Sequence, residues 1–158
     1  MTKRLVFLVP GFFGFSSVGA VNYFEDVERS LGAALRRRGV DARIVRCMTQ
    51  PTASIPRRAD ILRRQVIRSG GLGVRELHFV GHSTGGLDVR MLLTPDVKIA
   101  NGDSEERIAR LTRTAISVAT RRHAMRNPEA VKAMTDLEFV GVRDISVQDV
   151  LESRLIAH

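Results

Sequence analysis

Of the 158 residues only Cys47 is a cysteine, so the chain holds no partner with which to close an internal disulfide. A reducing, cytoplasmic setting is the resulting expectation, and the position of Cys47 at the end of an apolar run predicts a buried thiol. Long apolar runs are also missing, which excludes a membrane-spanning helix. No cluster of His, Cys and Asp has metal-ligand spacing, and no methionine-rich or aromatic stripe offers a cofactor a bed, so no cofactor or metal is expected. Internal repeats and low-complexity segments are absent. Lysine is scarce, at Lys3, Lys98 and Lys132 alone, although the formal net charge is +8.

The charge is therefore almost all arginine, a bias that a GC-rich coding sequence can produce. The arginines recur at helical intervals, as in Arg36-Arg37-Arg38 and Arg57-Arg58 followed by Arg63-Arg64 and Arg68. Such spacing reads as solvated helix faces, and no nucleic-acid partner is expected. With 44% hydrophobic residues, the chain has material for one core and a single domain over 1–158. Lys3-Arg4, the apolar Leu5 to Phe15 and the small residues Ser17 to Ala20 imitate a secretory leader. Pro10-Gly11 interrupts that middle, and Leu5 to Val9 serves better as a strand buried on both faces.

After that strand comes Pro10-Gly11-Phe12-Phe13-Gly14-Phe15, a loop with three aromatics. Phe24, Val27, Leu31, Ala34 and Leu35 then share one face of a helix expected from about Asn22 to Arg38, stopped by Gly39. Ala42 to Cys47 reads as a second strand. A second helix begins at Ser54, turns Ile55, Ala59, Leu62, Val66 and also Ile61 and Ile67 inward, and ends at Ser69-Gly70-Gly71. Asp103 and Glu106 resemble a helix cap and its reciprocal partner. Thr114 to Ala119 reads as a fourth strand, Asn127-Pro128 opens a short helix, Leu137 to Val142 is a fifth strand, and Ser146 opens a last helix. Strands alternating with helices predict an α/β fold, a mostly parallel sheet of about five strands with helices on both faces.

The third strand carries the most specific signal. Leu77-His78-Phe79-Val80 runs into Gly81-His82-Ser83-Thr84-Gly85-Gly86 and then Leu87-Asp88-Val89-Arg90-Met91-Leu92-Leu93. An apolar strand, a glycine-flanked serine and a helix in that order describe a turn so tight that the serine stands clear of the sheet. Ser83 is the candidate nucleophile. Ligands of open parallel sheets bind beyond the carboxyl ends of the strands, and both Ser83 and the Pro10-Gly11-Phe12 loop belong at those ends.

Val80 to Arg90, together with Phe7-Leu8-Val9-Pro10-Gly11-Phe12-Phe13-Gly14, resembles bacterial lipases and esterases of the α/β-hydrolase superfamily over about the first 120 residues. The resemblance implies a partial α/β-hydrolase fold, a small-molecule ester or lipid substrate and an oxyanion hole made of backbone amides. In that family the loop after the first of these strands usually reads His-Gly-x; here Pro10 replaces the histidine, so the resemblance gives one donor to Phe12 and the second to Thr84. Such enzymes usually run past about two hundred residues, and from Arg121 onward the match fades. The expectation is a shortened or frame-altered relative that retains the nucleophile half.

Nucleophilic catalysis by Ser83 needs a histidine to take its proton and a carboxylate to orient that histidine. His82 adjoins the serine on a turn where neighbouring side chains point apart, which suits packing. His78 lies within the strand and reads as a satisfied structural residue. The family order of serine, acid, histidine leaves Asp144 as the acid candidate and His158 as the base candidate, while His123 aligns with a histidine that is not the base in similar lipases. Two functions are compatible with these residues. One is a serine hydrolase of carboxylic esters; the other is a catalytically inactive homologue that binds an apolar ligand or a protein through its sheet edge. The oligomeric state is open.

Overall fold

The computed structural model describes residues 4–11, 18–50, 52–94, 99 and 103–118. Within them four strands, β1 (Arg4–Val9), β2 (Ala42–Arg46), β3 (Glu76–His82) and β4 (Thr112–Val118), form one sheet in the order β2-β1-β3-β4. All three pairings are parallel, with Phe7 level with Val45 and Phe79, and Val80 level with Ile116. The helices are α1 (Val18–Arg37), α2 (Ile55–Arg68), α3 (Thr84–Leu93) and α4 (Ser104–Leu111). The expected α/β architecture holds, with helices on both faces. The fifth strand and the two helices expected beyond Arg121 lie outside the described residues.

The continuous apolar run of β1 is explained by its central place, because alternate residues serve two cores. Val6 and Leu8 join Val80, Ile116 and Val118 beneath α1, which contributes Phe24, Leu31, Ala34 and Leu35. Leu5, Phe7 and Val9 join Leu77 and Phe79 on the other face, under Leu62 and Val66 of α2, Val89 and Leu92 of α3 and Ile108 of α4. The rings of Phe7 and Phe79 stack at 5.3 Å across the β1–β3 pair. Among the described residues β2 lies at one edge of the sheet, and its residues are only half-buried or exposed.

Three local expectations need correction. α1 starts at Val18, several residues before Asn22, and closes with the Gly39 N–H donating to the Arg36 carbonyl and the Val40 N–H to that of Leu35, both at 3.0 Å. Asp103 stands at the N-cap of α4 but its φ of −84° and ψ of 9° are near-helical, so its side chain caps nothing; the N-cap geometry requires an extended backbone. Ile67, expected inside, is exposed at 37%.

The path of the chain between strands decides where a crevice opens. It passes from β1 to β2 over the α1 face, then returns past β1 to β3 over the opposite face. Reversing direction and face together keeps a single crossover hand, as parallel units require. The reversal falls between β1 and β3.

Candidate active site

Open parallel sheets offer a crevice beyond the carboxyl ends of the two strands where the order reverses, since the connections there depart to opposite faces. The chain leaves β1 at Pro10-Gly11 and β3 at Ser83, and at this point the two segments touch. A Cβ placed on Gly11 would stand 2.6 Å from the Ser83 Cβ and 2.8 Å from the His82 carbonyl oxygen. Gly11 is therefore tolerated where no larger residue fits without movement of backbone.

Ser83 is the only residue between β3 and α3, and it makes the turn at φ 53° and ψ −128°. It is the sole non-glycine residue with positive φ among those described. Such a backbone costs an L-residue on the order of 1–3 kcal/mol and persists only where its surroundings enforce it. Here they do so on three sides. The Ser83 N–H donates to the Val118 carbonyl at the end of β4 at 2.8 Å, and the Gly86 N–H closes the turn on the Ser83 carbonyl at 3.1 Å. Gly81 and Gly85 let α3 descend onto the sheet, since a Cβ on Gly81 would meet the Gly86 Cα at 2.6 Å and one on Gly85 would run into the Val9 carbonyl. The Ser83 side chain is half-buried.

Thr84 opens α3, where the first amides have no acceptor within the helix and the helix dipole favours negative charge. Its Oγ1 is buried without a hydrogen-bond partner among the described residues. Phe12, Asp144, His123 and His158 lie outside the described residues. The expected juxtaposition of the Pro10-Gly11 segment with the serine turn is present.

The two histidines of β3 are turned toward α1. His82 sets its ring edge-on to Phe24, with centroids 6.1 Å apart and planes at 79°, and burial pushes its pKa down. His78 is 1% exposed, and neither ring nitrogen has a hydrogen-bond partner among the described residues; its Nε2 lies 3.8 Å from Glu76. It is buried as expected but not satisfied, because its neighbours in register, Val6 and Thr114, give it nothing polar that it reaches. Burial pushes its pKa down to about 4, and the Glu76 carboxylate only partly offsets that. Cys47 is buried, and desolvation, helped by the Asp88 charge, pushes its thiol far up, so it is inert as a nucleophile.

Sequence reasoning missed Arg58 and Asp88. Arg58, placed among solvated arginines, is 1% exposed, and Asp88 is 0% exposed. The Arg58 Nε donates to Asp88 Oδ1 at 2.9 Å and its NH2 group to Oδ2 at 2.8 Å. The same guanidinium reaches the Pro10 carbonyl and the Gln50 carbonyl, each at 3.3 Å. Burial pushes the Asp88 carboxyl up to about 6 against the pull of this fork. The available signal is register: Arg58, Leu62 and Val66 are four residues apart on the inward face of α2.

Among the described residues no group of three or more His, Cys, Asp or Glu side chains gathers to hold a metal, and no helix is long and apolar enough to cross a membrane. A surface groove is lined by Glu25, Glu28, Arg29 and Arg36 of α1 and Arg46 of β2.

By sequence the chain matches no protein-family model and no curated protein. Nine solved chains match it in structure. One is the crystal structure of a metagenomic carboxyl esterase, similar at a TM-score of 0.52 with 22% identity over 76% of this chain. That likeness shows a shared fold. The chain spans about a third of that esterase, 31% of its length.

Proposed function

We propose that the chain is a serine hydrolase of carboxylic esters in which Ser83 is the nucleophile and the amides of Phe12 and Thr84 hold the oxyanion. The observation that carries this reading is the contact of Gly11 with Ser83 at the strand-order reversal, with Ser83 held at positive φ between β3 and α3. A strained serine at that place in a parallel sheet is what nucleophilic attack requires and what packing alone does not. The fold shared with a carboxyl esterase supports the same reaction class.

In this mechanism the Ser83 Oγ attacks the ester carbonyl carbon as its proton passes to a histidine. The carbonyl oxygen becomes an oxyanion facing the two amides, each worth about a hundredfold or more in rate. Collapse expels the alcohol, which takes the proton from the histidine, and water then releases the acid from the acyl-serine by the same steps. His82 and His78 are poor bases, since both are turned beneath α1 and burial lowers the pKa of each, which weakens its hold on a proton. The family order of serine, acid and histidine leaves Asp144 and His158, both outside the described residues, as the candidates for acid and base. The three aromatics of the sequence Phe12-Phe13-Gly14-Phe15 suit acyl chains, and so lipid-like esters.

The test is hydrolysis of p-nitrophenyl butyrate by the purified chain beside Ser83→Ala. Turnover that falls by about a thousandfold or more in the variant supports the reading. Equal rates in both proteins, or none in either, overturn it and favour a binding role for the same sheet edge.

A further inference from the structure

An ion pair withdrawn from water must be justified by what it holds, because two well-packed apolar side chains of similar volume would give comparable stability. The Arg58–Asp88 pair holds three segments that the reaction proposed above needs in register. Asp88 sits on α3, one turn beyond Thr84, and fixes the helix that Ser83 begins. The Pro10 carbonyl, which accepts from the Arg58 NH2 group at 3.3 Å, belongs to the residue before Gly11, and Gly11 packs on Ser83. The Gln50 carbonyl ties in the segment after β2. Only a planar fork with five donors serves a carboxylate and two carbonyls together; a lysine ammonium lacks that geometry.

We infer that Arg58 and Asp88 are positioning residues that set the Pro10-Gly11 backbone against the Ser83 turn and so hold the serine in its reactive placement. The inference rests on the esterase reading. It makes the pair act through backbone placement, with no contact to substrate, and it accounts for a charged arginine buried among Ala59, Leu62 and Val66 on α2.

The experiment measures the rate at which a fluorophosphonate modifies Ser83 across a range of probe concentrations. The proteins are the unaltered chain, Arg58→Lys, and the apolar double variant Arg58→Met with Asp88→Leu, each with its urea midpoint. The double variant is expected to keep a midpoint near that of the unaltered chain. Its maximal modification rate, and that of Arg58→Lys, should fall by about a hundredfold, as misplacement of an ångström or so does elsewhere. The concentration giving half-maximal rate should not change, which a general loosening of the fold would not produce. Unchanged maximal rates in a folded variant overturn the clamp while leaving Ser83 as nucleophile. No modification of the unaltered chain overturns the esterase reading, and the clamp's catalytic purpose with it.

Discussion

At Ser83 the backbone is held where an L-residue resists being, and relieving that resistance has a measurable consequence. Ser83→Gly should be more stable than Ser83→Ala by about 1 kcal/mol in urea denaturation, because glycine adopts φ 53° without penalty while alanine keeps the strain. The reverse holds at Gly11, where an alanine methyl would meet the Ser83 Cβ and the His82 carbonyl. Gly11→Ala is expected to cost about 1–3 kcal/mol and to slow modification of Ser83 by a fluorophosphonate by about a hundredfold. At His78 the folded pKa of about 4 lies below the ordinary 6.5. The unfolded chain therefore binds more protons at this group between those values, and its contribution to stability is full above pH 6.5 and lost as pH falls through 4, by roughly 3 kcal/mol. Urea midpoints of the unaltered chain and His78→Leu across that range check this: the difference in stability between the two proteins should change by that amount, because the other titrating groups, Asp88 and His82 among them, are common to both. Ser83 was legible from its glycines and flanking strand. Arg58 was not, since one buried arginine in a string of arginines has the same composition as a solvated one; only its four-residue step to Leu62 sets it apart.

Among the elements, α2 shows how much amphipathic spacing conveys. Ala59, Leu62 and Val66 are buried as the period requires, and Leu62→Ala should cost about 2–5 kcal/mol in urea denaturation. Ile67, one residue past Val66, faces outward, so Ile67→Lys should change stability by no more than about 0.5 kcal/mol. Strand identities were readable because apolar runs bounded by Gly and Pro have few alternatives. Helix starts were less so: α1 begins at Val18, ahead of the Asn22 expected to open it, and α4 carries an apparent cap at Asp103 that its backbone does not use. Propensity and spacing constrain where a helix can run, whereas the capping bond depends on a dihedral the sequence leaves open.

Over the whole sheet, the order β2-β1-β3-β4 converts two motifs more than seventy residues apart, at Gly11 and Ser83, into neighbours. The parallel arrangement followed from alternating strands and helices, and the edge at which the motifs meet followed from strand polarity. The pairing of β1 with β3 was the part only the structure supplied, because the crossover that brings β3 back past β1 leaves no local mark. The same arrangement separates labour between the faces: α1 covers both β3 histidines, while α2 and α3 carry the buried pair beneath the serine turn. Mass mapping after incubation with a fluorophosphonate tests the central claim most directly. A single adduct on the peptide containing Ser83, absent from Ser83→Ala, is the expected result; a folded chain that takes up no adduct there would contradict it.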